Sequence, residues 1–143
     1  MSGESRLRKY LLHNIDDRGH FSQVEAHASQ PGIPDLAYTI KGKNGWLELK
    51  YGTKAKPPEL RTSQWVWFRR NVKAGGRPLI FCCADYEHHK IFGLIRGQDI
   101  ERIYLKKSLK PWNQAMSLSW EDRVDWDVLT EALYFPERLT LIA

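Results

Sequence analysis

Gly32-Ile33-Pro34-Asp35 opens, and Trp46-Leu47-Glu48-Leu49-Lys50-Tyr51 closes, a stretch that the sequence marks as two strands joined by a hairpin loop at Lys41-Gly42-Lys43-Asn44-Gly45. Leu36 to Ile40 is the first of these strands and Trp46 to Tyr51 the second. A strand repeats every two residues, so Glu48 and Lys50 share one face while Leu47, Leu49 and Tyr51 take the other. Leu47 and Leu49 want a core, which turns Glu48 and Lys50 away from it. Asp35 stands at the start of the partner strand, and antiparallel pairing can set it beside Glu48.

Outward from this hairpin, the elements alternate. Ser2 is placed to cap a helix over about 3–15, with Leu7, Leu11 and Ile15 as its apolar stripe. Phe21 to Ala28 reads as a short strand, and Gln30-Pro31-Gly32 as a turn. After Tyr51 comes a basic, proline-bearing loop over 52–58. A second helix is expected from Pro58 or Glu59 to about Ala74, with Gly75-Gly76 as its stop. Pro78 to Ala84 is wholly apolar, as befits a central strand buried on both faces, and Ile91 to Ile95 is another strand. The order α-β-β-β-α-β-β implies a mixed sheet flanked by helices. Ser119 followed by Asp122 resembles a capping box and points to a helix over about 120–134. The tail from Gln98 holds Trp112, Trp120 and Trp126 and is expected to pack on the core or on a second subunit.

The chain has 143 residues, of which 42% are hydrophobic and 27% charged. That suits one domain, or one domain with an appendage, and excludes wholesale disorder. The two cysteines, Cys82 and Cys83, are adjacent, which speaks against a disulfide framework and for a reducing compartment. The first fifteen residues carry charges where a signal peptide needs an apolar core, and the longest apolar run is the six residues 79–84. A soluble, cytoplasmic protein without membrane contact is the expectation. The net charge is +5, but residues 41–77 alone carry ten basic and two acidic side chains. Lys50, Lys54, Lys56, Arg61, Arg69, Arg70 and Lys73 in that block suit a polyanion or, equally, a solvated surface.

Asp35, Glu48 and Lys50 admit two explanations. Two neighbouring carboxylates repel unless a cation lies between them, and hard oxygen donors suit Mg²⁺ or Mn²⁺. Lys50 would then orient an attacking water and offset charge on a phosphorane. The alternative is an ordinary strand with a cross-strand ion pair. Elsewhere, Gln64 falls with Leu60, Trp67 and Phe68 on the inward side of the second helix, where it needs a partner. Trp65 and Trp67 suit the core better than a stacking platform. His88-His89 fits a polar turn, and His27 a structural histidine. There is no glycine-rich phosphate loop, so no nucleotide cofactor is expected.

Pro34-Asp35 followed by Glu48-Leu49-Lys50 resembles the motif of PD-(D/E)XK nucleases. With Gly32, Gln64-Trp65 and Gly75-Gly76 it is similar, over residues 3–97, to the small VRR-NUC and phage Holliday-junction-resolvase-like branch. The resemblance implies a restriction-endonuclease-like αβββαβ core over 1–97, with 98–143 as an extension that packs on it or forms a dimer interface. It implies Asp35, Glu48 and the Leu49 carbonyl as metal ligands, and Lys50 as the catalytic lysine. It calls for a further acidic residue from the first helix. Glu4 is the candidate, since it continues the stripe of Leu7, Leu11 and Ile15, although a first-turn glutamate also simply complements the helix dipole. Glu25 is a rival. Gln64 is placed beside the site, bonded to water or phosphate, or else is a buried amide satisfied by backbone. Thr53, Lys54 and Lys56 would hold phosphates next to the scissile one, with Arg61 beside them, or form a surface loop.

The activity implied is Mg²⁺- or Mn²⁺-dependent hydrolysis of DNA, with Holliday junctions or flaps as substrates, leaving a 5′-phosphate and a 3′-hydroxyl. A homodimer is implied because symmetric cutting of a junction needs two active sites. The alternatives are a general duplex-nicking nuclease of the same fold, or a DNA-binding module without catalysis. An RNA partner lacks the expected strand-borne stacking aromatics.

Overall fold

The structure, a computed structural model, describes residues 2–25 and 31–140. Helix α1 spans Gly3–Ile15, and the Ser2 hydroxyl caps it by accepting a bond from the Ser5 N–H at 3.1 Å. Leu7, Leu11 and Ile15 are its buried stripe. Strands β1 (His20–Gln23), β2 (Leu36–Ile40) and β3 (Lys43–Thr53) follow, then α2 (Thr62–Lys73), β4 (Leu79–Asp85) and β5 (Lys90–Arg96). The expected αβββαβ order holds. After β5 come a 3₁₀ segment (Gly97–Arg102), helix α3 (Leu109–Gln114), strand β6 (Met116–Glu121) and helix α4 (Trp126–Tyr134). No described helix is long and apolar enough to cross a membrane.

The six strands form one mixed sheet in the order β1-β2-β3-β4-β5-β6. All neighbours are antiparallel except β3 and β4, which run parallel across the α2 crossover. Each face of the sheet has its own core. On one, α1 and α4 cover Leu47, Leu49, Leu79, Phe81 and Cys83. On the other, α2, the 3₁₀ segment and α3 enclose Ile80, Cys82, Ala84, Phe68 and Trp112. Strand β4 is buried from Leu79 to Ala84, as its unbroken apolar run predicts. Cys82 and Cys83 are both free thiols, one in each core.

Four boundaries differ from the sequence expectation. The hairpin turns on two residues rather than five: Lys41 (φ 49°) and Gly42 (φ 83°) both lie left-handed, the requirement of the tight hairpin turn whose twist matches the strands. Pairing therefore runs through Ile40↔Lys43. Helix α2 starts at Thr62, because the chain from Pro57 to Leu60 stays extended to bury Pro58 and Leu60. Strand β1 stops at Gln23; Ala26 to Gln30, including His27 and part of the expected turn, lie outside the described residues. The expected helix over 120–134 is replaced by a strand and a shorter helix. Met116, Leu118 and Trp120 pair antiparallel with β5, and Asp122 closes the strand by accepting from the Lys90 N–H at 2.7 Å. The cap of α4 is Asp125, whose carboxylate accepts from Val128 N–H at 3.1 Å, in place of Ser119.

Candidate active site

The site is built on the β2–β3 hairpin. Leu36 pairs with Leu47, so Asp35 and Glu48 follow as the next opposed residues. The Asp35 N–H donates to Glu48 Oε1 at 3.1 Å, and the Leu49 N–H donates to Asp35 Oδ2 at 2.9 Å. Backbone donors thus aim both carboxylates. The approach to Asp35 depends on Gly32: its φ is 90°, and a Cβ there would stand 2.1 Å from the Ser63 carbonyl oxygen. Only glycine lets this turn lie against the start of α2.

Glu4 arrives from the first turn of α1. Gly3 permits this, because a Cβ at that position would meet the Tyr51 ring at 2.1 Å. Glu4, Asp35 and Glu48 each present an oxygen, and these atoms lie within 4.8 Å of one another. Glu25, the rival acid, is exposed and outside this group.

Lys50 lies beside the carboxylates, almost buried. Its Nζ is 3.2 Å from Glu48 Oε2 and donates to Gln64 Oε1 at 3.0 Å. Gln64 is 3% exposed and acts at three points. Its oxygen also accepts from the Arg61 N–H at 3.0 Å, closing the first turn of α2, and its amide donates to Glu48 Oε2 at 2.7 Å. The backbone partner expected of a buried amide and the polar site partner are both present. Burial pushes the Glu48 carboxyl up to about 7; Lys50 opposes that rise and the Asp35 carboxylate adds to it.

These groups open onto a cleft of about 660 Å³. Thr53, Lys56 and Arg61 line it. Thr53 and Lys56 close a tight turn, with the Thr53 N–H on the Lys56 carbonyl at 2.9 Å and the Lys56 N–H on the Thr53 hydroxyl at 3.0 Å. Lys54 departs from the group: it stands over the Tyr86 ring, 5.8 Å from its centre, and is not in the cleft wall. Several wall residues were not assigned to the site from sequence, Arg8 and Tyr51 among them. Arg8 lies one helical turn beyond Glu4 on α1, a spacing that could have flagged it. Tyr51, assigned to the core by its alternation, reaches the wall at the strand end, where its hydroxyl bonds Asp85.

The donor set suits a hard divalent cation. Three carboxylates on one patch face a single ammonium, and all donors are oxygen. The open cleft beside them leaves room for further oxygen ligands.

No family model matches the sequence, and no curated protein does either. Among solved structures the chain is similar to Hjc, a Holliday junction resolvase of the archaeal hyperthermophile Archaeoglobus fulgidus. The TM-score is 0.51 at 16% identity, over 73% of this chain and 84% of that one. The likeness is one of fold: a restriction-endonuclease-like mixed sheet with flanking helices.

Proposed function

We propose that the chain is a divalent-metal-dependent DNA endonuclease that hydrolyses phosphodiester bonds, with branched DNA, a Holliday junction or flap, as its preferred substrate. The observation that carries this is the convergence of Glu4, Asp35 and Glu48 with the near-buried Lys50 at the floor of an open cleft. The likeness of fold to a junction resolvase supports the choice of substrate class.

In this reading Asp35, Glu48 and Glu4, with the Leu49 carbonyl, hold Mg²⁺ or Mn²⁺, which supplies Lewis acidity toward a phosphoryl oxygen and a lowered pKa for water. Lys50, pinned between Glu48 and Gln64, holds its ammonium where the attacking water is oriented and where charge builds on phosphorus. Gln64 fixes that ammonium without competing for its charge. Thr53, Lys56 and Arg61 meet the flanking phosphates along the cleft wall. A homodimer would supply the two sites that symmetric junction cutting needs.

The test is cleavage of labelled four-way junction, flap, linear duplex and single strand with Mg²⁺, Mn²⁺ or EDTA, beside Lys50→Ala. Metal-dependent cutting that falls at least ~10²-fold in Lys50→Ala is expected, with the branched substrates cut fastest. A folded protein that cuts no DNA under any condition overturns the reading, and DNA binding that survives EDTA would then identify a binding module.

A further inference from the structure

Beyond the cleft, the segment that follows β5 presents an unusual residue. Leu105 is 72% exposed and sits at φ 64°, in the left-handed region. It occupies the third position of a turn closed by the Lys106 N–H on the Ile103 carbonyl at 3.2 Å. That position favours glycine or asparagine, and a leucine there is both strained and wet. The turn is held from both sides, by Ile103, fully buried, and by Leu109 at 4% exposure.

The turn is also tied to the catalytic helix. Tyr104 stacks on Trp65 at 4.5 Å between ring centres and 8° between planes. Its hydroxyl lies 2.8 Å from the Thr62 hydroxyl. Thr62 adjoins Arg61 of the cleft wall, and Trp65 adjoins Gln64. The Arg69 guanidinium also lies over the Trp65 ring, 4.6 Å from its centre.

The charges around Leu105 are one-sided. The two acids of the segment are engaged: Asp99 with Arg96 at 2.7 Å, and Glu101 with the Trp65 indole N–H at 3.0 Å and Arg69 at 3.4 Å. Arg102, Lys106, Lys107 and Lys110 are exposed, and none is in an ion pair with a described residue. An apolar side chain raised on a stiff turn among free cations suits DNA, whose base steps accept apolar wedges while phosphates on either side take the cations.

We propose that Leu105 is a wedge that enters the base stack where duplex strands part, with Lys106 and Lys107 on the adjoining phosphates. This rests on the DNA-endonuclease reading and assigns the residue that senses the branch. Glycine is favoured at this turn position, so Leu105→Gly removes the wedge without weakening the fold.

The experiment uses the full chain with Ca²⁺ in place of Mg²⁺ and a four-way junction carrying 2-aminopurine at the branch. Binding should raise the fluorescence severalfold. Leu105→Gly should cut that rise to less than a third at saturation, with an unchanged or higher Tm, and Leu105→Phe should keep it. Lys106→Ala with Lys107→Ala should flatten the slope of log K against log salt by about 2, which Leu105→Gly should not. A full rise in Leu105→Gly, or a bound junction with no rise in the wild type, overturns the wedge while leaving the nuclease standing. A wild type that neither binds nor cuts DNA overturns both.

Discussion

Gln64→Leu should expose how much of the site is held by one amide. The substitution keeps apolar bulk at a position 3% exposed but deletes three hydrogen bonds. The bonds from the Arg61 N–H and to Glu48, whose carboxyl is protonated below about pH 7, are of ordinary strength, about 1 kcal/mol each, whereas that with the Lys50 ammonium is worth roughly 1.5–3 kcal/mol. Against this, Lys50 and Glu48 still hold each other at 3.2 Å, and the adjacent cleft lets water reach them. A net loss of roughly 3 kcal/mol is expected, which in urea moves the midpoint down by about 1.5 M for a protein of ordinary m-value. Because Gln64 and Lys50 share a bond, Gln64→Leu and Lys50→Met should be non-additive by about 1 kcal/mol or more in a double-mutant cycle. A loss below about 1 kcal/mol, or additivity within about 0.5 kcal/mol, would show that the amide is a bystander.

Two further perturbations address the carboxylate and the turn beside it. In the folded chain Glu48 keeps its proton to about pH 7 against an ordinary value of 4.5, so the folded state binds more protons in that window. The resulting stability is present at low pH and lost as pH rises through about 7; urea midpoints of metal-free wild type should fall from pH 5 to pH 8 relative to Glu48→Gln, and equal slopes would remove burial as the cause. Gly32→Ala meets a carbonyl at 2.1 Å and a φ of 90°, while Gly42→Ala meets a φ of 83° but nothing within 4 Å. The first should cost roughly 3 kcal/mol or more and the second about 1–2 kcal/mol in thermal unfolding; equal costs would mean that the Gly32–Ser63 approach relaxes.

Much of the core fold was legible because its signals are local and redundant. Ser2 and the stripe at Leu7, Leu11 and Ile15 specify α1 twice over, and the alternation of Leu47 and Leu49 with Glu48 and Lys50 specifies both a strand and its faces. The apolar run of β4 admits few placements. Strand β6 was hidden because Ser119 and Asp122 imitate a helix start, and only its pairing with β5 decides otherwise. The start of α2 was misplaced because proline is tolerated in a first helical turn, while the packing of Pro58 and Leu60 rewards an extended chain. At the site, period and hairpin pairing place Asp35, Glu48 and Lys50 together, while their reading as a metal site came from the resemblance to the PD-(D/E)XK motif. The stripe of α1 turned Glu4 inward, but that it meets Asp35 and Glu48 while Glu25 does not depends on how α1 crosses β3, which no local pattern carries. Likewise Lys54, adjacent to Thr53 in sequence, turns to Tyr86 rather than to the cleft.

The mutual clasp between Asp35 and the following strand has a consequence for how the molecule comes into being. Asp35 gives its N–H to Glu48 and takes one from Leu49, so a hairpin slipped by a single residue breaks both links and turns Glu48 and Lys50 to the opposite side. Lys50 then waits for Gln64, and the acidic group is complete only when α1 has docked. A chain emerging from the ribosome therefore cannot complete the acidic group until β3 has cleared the exit, a few seconds after Glu4 at ordinary synthesis rates of about 5–20 residues per second. Misregistered or clipped copies therefore lack the assembled acidic group, a check set by two backbone links within one hairpin.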